Sequence, residues 1–288
     1  MNSGNLVKQM HNTDQSIQES DMVAKHLLLK LSNLKSTLSA MHLFLCSASF
    51  LLVPSTFAQN ADLATKSEKS VGITLSSYKY DEPSYMTLKA NKVGIDFSGT
   101  YALGSQWPNP QHGWFVKGEF QTLSGKADYE SPISGSIDNT PNRSVEVRAL
   151  VGKDFELGGA VLAPYVGLGY RHLYSDIGYK RTSTYNTLPL GLTHKMRMSG
   201  QAQLHTTVEY MHLLGGVHKV NLLSQNVSLN QRSGYGLRLS VMHRLDTWSV
   251  GPTLTYWNMD SSELGGVLPV YEPKNKTYEL GFKGAYRF

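Results

Sequence analysis

The sequence predicts an all-β fold, a transmembrane antiparallel up-and-down β-barrel of ten strands. Three observations carry this prediction. Apolar and polar residues alternate along ten segments, the connections between the segments alternate between short and long, and aromatic residues collect near both ends of the segments. A barrel that crosses a bilayer needs all three features, because lipid-facing and lumen-facing residues alternate and the two membrane interfaces favour aromatic rings.

Composition excludes several other classes of protein. The chain has 288 residues, of which 40% are hydrophobic and 10% aromatic, which is too much apolar material for a disordered chain. No run reaches the 18 or so apolar residues of a spanning helix. The single Cys rules out a disulfide framework and a thiolate zinc site. The net charge of +5 comes without a basic cluster, so nothing predicts nucleic-acid binding.

Alternation with a period of two is clearest between residues 93 and 101. Val93, Ile95 and Phe97 fall on one face, whereas Asp96 and Ser98 fall on the other. The same pattern recurs in each predicted strand, and these strands cover residues 70–79, 91–103, 113–122, 143–153, 161–173, 187–198, 202–213, 234–245, 248–258 and 277–288. Each segment is about as long as a tilted strand that crosses a bilayer.

The connections support the same topology. Those after the second, fourth, sixth and eighth strands are short, at 104–112, 154–160, 199–201 and 246–247. Those after the third, fifth, seventh and ninth are long, at 123–142, 174–186, 214–233 and 259–276. Short turns on one side and long loops on the other are typical of bacterial outer-membrane barrels, in which the short side is periplasmic.

Aromatic residues are predicted to form a girdle at each interface. The periplasmic girdle contains Tyr101, Trp114, Trp248, Tyr286 and Phe288. The extracellular girdle contains Tyr170, Tyr174, Tyr210, Tyr235, Tyr256 and Tyr278. Outward positions between the girdles are mostly Val and Leu, as the hydrocarbon layer requires.

The first 58 residues predict a signal peptide. Lysines precede the 11-residue apolar run from Leu43 to Val53, and small residues follow it, so we expect cleavage between Ala58 and Gln59. The expected organisation is a signal peptide at 1–58, a short periplasmic segment at 59–69 and the barrel at 70–288. Met22 and Met41 are alternative starts. Cys46 lies in the leader, which leaves the mature chain without cysteine, as suits an oxidising compartment.

The C-terminus carries the most specific motif. Aromatic or apolar residues alternate back from the terminal residue, at Tyr278, Leu280, Phe282, Tyr286 and Phe288. This pattern resembles the signal that the barrel assembly machinery recognises in bacterial outer-membrane barrels. With the leader, the strands and the stretch 272–279, it makes the chain similar to the small outer-membrane β-barrel superfamily of opacity-type and porin-like proteins. The resemblance implies location in a Gram-negative outer membrane and assigns no functional residue.

Alternation also predicts a charged barrel interior with five acids and nine bases. These inward residues are Asp96, Lys117, Glu119, Glu146, Arg148, Arg171, Lys195, Arg197, Glu209, Arg238, Arg244, Glu279, Lys283 and Arg287. Ten strands leave little space inside, so we expect the charges to pair across the lumen and plug it. A narrow path weakly selective for anions is the alternative, because bases outnumber acids.

Catalysis is the least favoured hypothesis. Omptin proteases are ten-stranded barrels with rim acids and an Asp–His pair. The nearest candidates here are Glu209 with His212 and His172 with Asp176. Glu209 faces inward and His212 outward in strict strand geometry, and the second pair faces outward, so we assign no catalytic residue. The histidines are dispersed, and we expect neither a metal nor a cofactor.

The long connections are then the expected functional surface, because loops on a rigid scaffold usually carry binding residues. The sequence predicts a surface structural or adhesin-like protein, with a narrow channel as the alternative and a rim hydrolase as a third hypothesis. Expected partners are outer-membrane lipid and lipopolysaccharide, the barrel assembly machinery during biogenesis, and an extracellular ligand of the loops.

Overall fold

The computed structural model describes residues 62–103, 113–198, 200–222, 225–266 and 269–288. The predicted signal peptide and its cleavage site lie outside these residues. The barrel belongs to a compact unit, Thr56–Phe288. Its strands are β1 (Glu68–Glu82), β2 (Met86–Ala102), β3 (Trp114–Ser131), β4 (Gly135–Lys153), β5 (Phe155–Leu157), β6 (Ala160–Asp176), β7 (Lys180–Arg197), β8 (Gln203–Leu222), β9 (Gln225–Gln231), β10 (Gly234–Arg244), β11 (Trp248–Met259) and β12 (Asn275–Arg287).

Ten of these strands form the wall of a closed antiparallel barrel. β12 pairs with β1 along its whole length, from Ser70 opposite Arg287 to Asp81 opposite Lys276. The two short strands, β5 and β9, are not part of the barrel wall. β5 forms a small hairpin with β6. β9 pairs with the outer part of β8, whereas the inner part of β8 pairs with β10. The predicted fold class and strand number are confirmed. No helix in the described part of the chain is long and apolar enough to span a membrane.

The two faces of the barrel wall have opposite polarity. On β1, Ile73 and Leu75 point outward and are 60% and 59% exposed, whereas Thr74 and Ser76 point inward and are 2% and 7% exposed. A soluble barrel would reverse this order, because water would cover its outer face. The apolar outer face therefore requires a lipid environment.

Both aromatic girdles form on the outer face. At the extracellular interface the rings of Tyr210, Tyr235, Tyr256 and Tyr278 lie side by side on four adjacent walls, with centroid separations of 6.1, 6.2 and 5.0 Å. At the periplasmic interface Trp248 lies 5.2 Å from Tyr286, and Tyr286 lies 6.3 Å from Phe288. Neighbouring rings bury part of each other's surface and anchor the barrel at the depth of the lipid headgroups.

Three of the four predicted long loops are instead strand hairpins, which is a correction to the sequence prediction. β3 and β4 continue beyond the girdle and are joined by residues 132–134 alone, while residues 177–179 join β6 to β7. Likewise, β8 extends to Leu222 and pairs with β9. Only the connection from 260 to 274 is irregular, and it is held by the Gly265–Val270 bridge.

The hairpins were missed because their polarity is inverted. Above the girdle Ala127 and Tyr129 point inward and are buried, whereas Lys126 and Asp128 point outward and are exposed. Water covers the outer face there, so the apolar side chains move to the inside. At the membrane surface, apolar residues move from the outward to the inward positions of the same strand. The alternation that marks the membrane-spanning part therefore stops there, and the sequence pattern predicts a loop.

Candidate functional site

A layer of charged side chains crosses the middle of the lumen. Arg148 on β4 donates to both carboxylate oxygens of Glu209 on β8, at 2.6 and 2.8 Å, and also contacts Glu119. Arg238 on β10 donates to both oxygens of Glu146 at 2.8 Å. The Tyr165 hydroxyl donates to Glu209 at 2.7 Å. These bonds connect opposite walls, so the layer braces the barrel across its axis.

Further predicted interior residues pair nearer the periplasmic end. Lys117 lies 2.7 Å from Glu119, and Lys283 lies 3.1 Å from Asp96. Two pairings involve acids that the sequence reasoning missed, as the Lys195 ammonium lies 2.9 Å from Asp154 and both Arg244 and Arg287 bind Glu68, at 2.6 and 3.0 Å. Glu68 precedes the predicted first strand and Asp154 was assigned to a turn, so alternation did not place either of them inside.

Three predicted residues lie at the edges of this network. The Arg171 guanidinium sits 4.7 Å over the Trp257 ring. Glu279 accepts a hydrogen bond from Ser76 at 3.1 Å. Arg197 lies at the periplasmic rim rather than within the lumen, because β7 ends there; its side chain is 44% exposed and pairs with Asp62 at 2.9 Å.

Within the described part of the chain, the lumen is open at the periplasmic end and narrows at the charged layer. A cavity of about 700 Å³ extends from the rim at Asp62 to Glu146 and Arg238. Beyond it lies a space of about 20 Å³ beside Arg171 and Trp257, which is room for about one water molecule. The periplasmic half is therefore a vestibule that ends at the layer.

Apolar side chains fill the extracellular half. One cluster contains Tyr185, Met211, Leu213, Trp257 and Met259, and a second contains Tyr78, Tyr80, Met86, Leu88, Ala90, Ala127, Tyr129 and Ile177. All of these residues are at most 7% exposed. A packed interior of this kind forms the core of soluble proteins and leaves no aqueous path through those clusters.

A second buried charge cluster lies within the protruding hairpins. Arg181 on β7 donates to Glu82 and to Glu272, both at 2.6 Å. The Tyr80 hydroxyl oxygen lies 2.7 Å from an oxygen of each of these carboxylates and can donate its one hydrogen to either. Burial raises the pKa of Glu82, although Arg181 opposes the shift. The sequence reasoning missed this cluster because its members lie at strand ends or in the 260–274 loop. Glu272 ties that loop to the barrel wall.

His218 joins the cluster in a geometry that resembles a catalytic triad. Its Nδ1 lies 2.7 Å from Ser183 Oγ, and its Nε2 lies 3.0 Å from Glu272 Oε2. All three side chains are buried, and the carboxylate is already bound by Arg181. Burial and the Arg181 charge lower the pKa of His218 to about 3. A nucleophile must reach its substrate, and a base that serves it needs a pKa near the working pH, so we assign these residues a structural role.

The two pairs considered for catalysis are not assembled. Glu209 is held in the lumen, whereas His212 lies on the outer face, 3.5 Å from the Tyr210 hydroxyl. The ring of His172 contacts Thr184 at 3.2 Å, and Asp176 contacts Tyr174. Among the described residues no three His, Cys, Asp or Glu side chains are grouped as metal ligands.

The C-terminal motif lies on the outer face. All five of its residues are exposed on the face that contacts lipid, namely Tyr278, Leu280, Phe282, Tyr286 and Phe288. The backbone of Phe288 exchanges two 2.9 Å hydrogen bonds with Lys69, which completes the closure between the last strand and the first.

An apolar outer wall between two aromatic girdles, around a charged lumen, defines an integral membrane β-barrel. The chain belongs to the outer membrane protein beta-barrel domain family, whose profile matches residues 48–214. It is a protein of the Gram-negative outer membrane.

The chain is similar to several solved structures of outer-membrane proteins. The outer membrane protease OmpT of Escherichia coli is 11% identical over 82% of this chain and all of its own, with a TM-score of 0.51. An outer membrane channel of Pseudomonas putida F1 is 11% identical, over 81% of this chain and all of its own, with a TM-score of 0.42. Ail of Yersinia pestis is 13% identical, over 78% and 100%, with a TM-score of 0.35. No curated sequence matches the chain. At 11% identity the likeness to OmpT concerns the fold alone.

Proposed function

We propose that this protein is a non-conducting barrel that acts at the cell surface through its protruding hairpins, as an adhesin-like or structural protein. The observation that carries the proposal is the filled extracellular half of the lumen. Two apolar clusters and the Arg181 cluster occupy the region through which a solute would have to pass. A barrel with a filled and cross-linked interior can present the ends of its hairpins at the cell surface but is unsuited to carry solutes through its lumen.

The tips offer a surface on which a partner could bind. Ile133 and Leu264 are 76% and 68% exposed, and the Tyr85 and Tyr271 hydroxyls lie 3.1 Å apart at the surface. Exposed apolar and tyrosine side chains on rigid elements are common in protein-binding sites. The ion pairs below hold the hairpins, so binding would require little ordering of the chain.

Side-specific labelling tests the closed lumen. Residues 59–288 contain no cysteine, so Thr207→Cys in a chain that begins at Gln59 places a single thiol in the vestibule. In oriented vesicles we expect a membrane-impermeant maleimide to label this thiol from the periplasmic side and not from the extracellular side. Planar bilayers should stay silent under conditions in which a general porin conducts. Equal labelling from both sides, or steady single-channel currents, would favour the narrow anion channel instead.

Adhesion measurements test the surface role. Bacteria that display the wild type should bind a panel of cell surfaces and matrix glycoproteins more strongly than bacteria without it. The Ile133→Ser/Leu264→Ser variant should lose most of this gain. Leu157→Ser is the matched control, since Leu157 is exposed at the periplasmic end. If the tip variant binds as well as the wild type, or display adds no binding, the adhesin-like role is wrong.

A further inference from the structure

The segment that precedes β1 connects opposite sides of the periplasmic opening. Residues 62–67, which we call the strap, begin beside β7 and β8, where Arg197 binds the Asp62 carboxylate at 2.9 Å and Gln203 donates to the Asp62 carbonyl at 3.1 Å. The strap ends where β1 begins. β1 and β7 lie opposite each other in the barrel, since β2, β3, β4 and β6 separate them on one side and β12, β11, β10 and β8 on the other.

A buried polar contact holds the middle of the strap. The backbone N–H and the hydroxyl of Thr65 both donate to the Asp154 carboxylate, the hydroxyl at 2.9 Å. The Lys195 ammonium donates to the Thr65 hydroxyl oxygen and, at 2.9 Å, to Asp154. We call these three residues the latch. Asp154 and Lys195 are each 5% exposed, so water competes weakly for their hydrogen bonds.

The rest of the strap is fixed by one apolar and one polar contact. Leu63 is 2% exposed, which is as low as in the apolar clusters of the extracellular half. At the other end, Ser67 Oγ accepts a hydrogen bond from the Ala102 N–H at 3.0 Å. These contacts are separate from the hydrogen bonds that join the barrel strands. A segment held in this way can open locally while the barrel stays folded.

The strap forms part of the boundary of the vestibule. Five of its residues line the cavity of about 700 Å³ that reaches the charged layer, namely Asp62, Leu63, Ala64, Thr65 and Lys66. We propose that the strap limits the size of the solutes that enter the vestibule from the periplasmic side, and that the latch controls its opening. Small polar solutes pass beside the strap, whereas a polymer chain enters when the latch opens. The proposal does not rest on the surface role of the hairpin tips, which lie at the other end of the barrel.

A thiol inside the vestibule measures how readily a reagent enters. Thr207 lines the vestibule and lies deeper in the lumen than Gln203 on the same strand. Thr207→Cys, in the chain that begins at Gln59, is refolded in neutral detergent and treated with a small charged maleimide or with a maleimide on a polyethylene glycol chain. Leu157→Cys, exposed at the periplasmic end, gives the intrinsic rate of each reagent. Relative to this rate, the vestibule thiol should react much more slowly with the polymer-linked reagent than with the small one.

The decisive variant is Leu63→Ser/Thr65→Val, which loosens the strap and leaves the ion pair of the latch intact. Losing a hydrogen bond to a charged group shifts a local opening equilibrium by about tenfold, and losing buried apolar surface adds to the shift. The polymer-linked reagent should therefore label the vestibule thiol more than about tenfold faster, whereas the small reagent should gain less than about twofold. Thr253→Val is the matched control, because it removes a hydroxyl from β11 in the same vestibule and should label as the wild type does.

Heat-dependent gel mobility shows that each variant is folded. If the double variant does not fold, Thr65→Val alone should still speed labelling by the polymer-linked reagent about tenfold.

Three results would contradict the proposal. The polymer-linked reagent could label the strap variant no faster than the control variant. Both reagents could be accelerated by the same factor, in which case the strap would shield the thiol without selecting by size. Leu213→Cys, which places a thiol in the filled extracellular half, could become reactive in the strap variant to the same extent. The strap would then support the whole barrel and would not control entry to the vestibule.

Discussion

Glu209→Gln tests whether the central charged layer braces the barrel. Glu209 is 1% exposed and accepts hydrogen bonds from Arg148, Arg238 and Tyr165. The substitution keeps the shape of the side chain and removes one negative charge, so the two guanidinium groups are left with excess positive charge in a closed lumen. Breaking a buried ion pair by removing one partner costs about 3–5 kcal/mol. We expect the free energy of unfolding to fall by about 3 kcal/mol, because Glu119 and Glu146 still neutralise part of the charge.

Urea unfolding in lipid vesicles, followed by tryptophan fluorescence and gel mobility, measures this loss. The matched control is Glu279→Gln, which removes another inward carboxylate whose hydrogen bond comes from the neutral Ser76 and should cost about 1 kcal/mol. Combining Glu209→Gln with Arg238→Gln restores the charge balance, so the double variant should be more stable than the sum of the single losses implies. A Glu209→Gln loss no larger than that of the control would refute the bracing role.

Three further outcomes are expected. The low pKa of His218, about 3 in the fold against an ordinary value of 6.5, gives stability that is present above pH 6.5 and lost as the pH falls toward 3; between pH 7 and pH 5 urea titrations should show a loss of about 2 kcal/mol that His218→Gln abolishes. A Cβ on Gly191 would lie 2.2 Å from the Tyr165 ring, so Gly191→Ala should cost about 1–3 kcal/mol in the same titration, whereas Gly118→Ala, which meets nothing within 4 Å, should cost less than about 1. Deleting Phe288 should lower the yield of heat-resistant barrel in cells, and unchanged yield would argue against its part in assembly.

The sequence predicted the wall of the barrel well because the bilayer imposes a regular constraint. Every strand must present apolar groups to lipid at alternate positions, and this requirement repeats between the two girdles. Most predicted interior charges therefore lie in the lumen, and the girdle tyrosines lie on the outside. Lys92 is an interior charge that the same alternation should have predicted, because it lies on the inward face of β2 together with Asp96. Its Nζ lies 3.5 Å from the centre of the Tyr78 ring.

The extracellular half could not be predicted in the same way. There the outside is water, so the strands carry apolar groups inward and polar groups outward, as soluble strands do. The pattern of Tyr129 and Asp128 is as regular as that of Ile95 and Asp96, but its phase is opposite. The Arg181 cluster adds a further difficulty, because Glu272 comes from an irregular loop that no periodicity describes.

The change of phase also bears on function. Below the girdle the lumen is a polar vestibule whose charged side chains pair with one another. Above the girdle it is filled by two apolar clusters and by the buried Arg181 cluster. A conducting barrel would need polar groups along its whole axis. A non-conducting barrel needs only that buried polar groups be paired and apolar groups be packed in each part of its interior. Hydrophobic clusters in the hairpins add burial that a short-looped barrel lacks, and the strands that provide it lie outside the membrane. Extending strands beyond the bilayer costs conformational entropy and does not improve membrane insertion. The extension therefore favours a functional role for the hairpin ends, which it holds above the lipid surface.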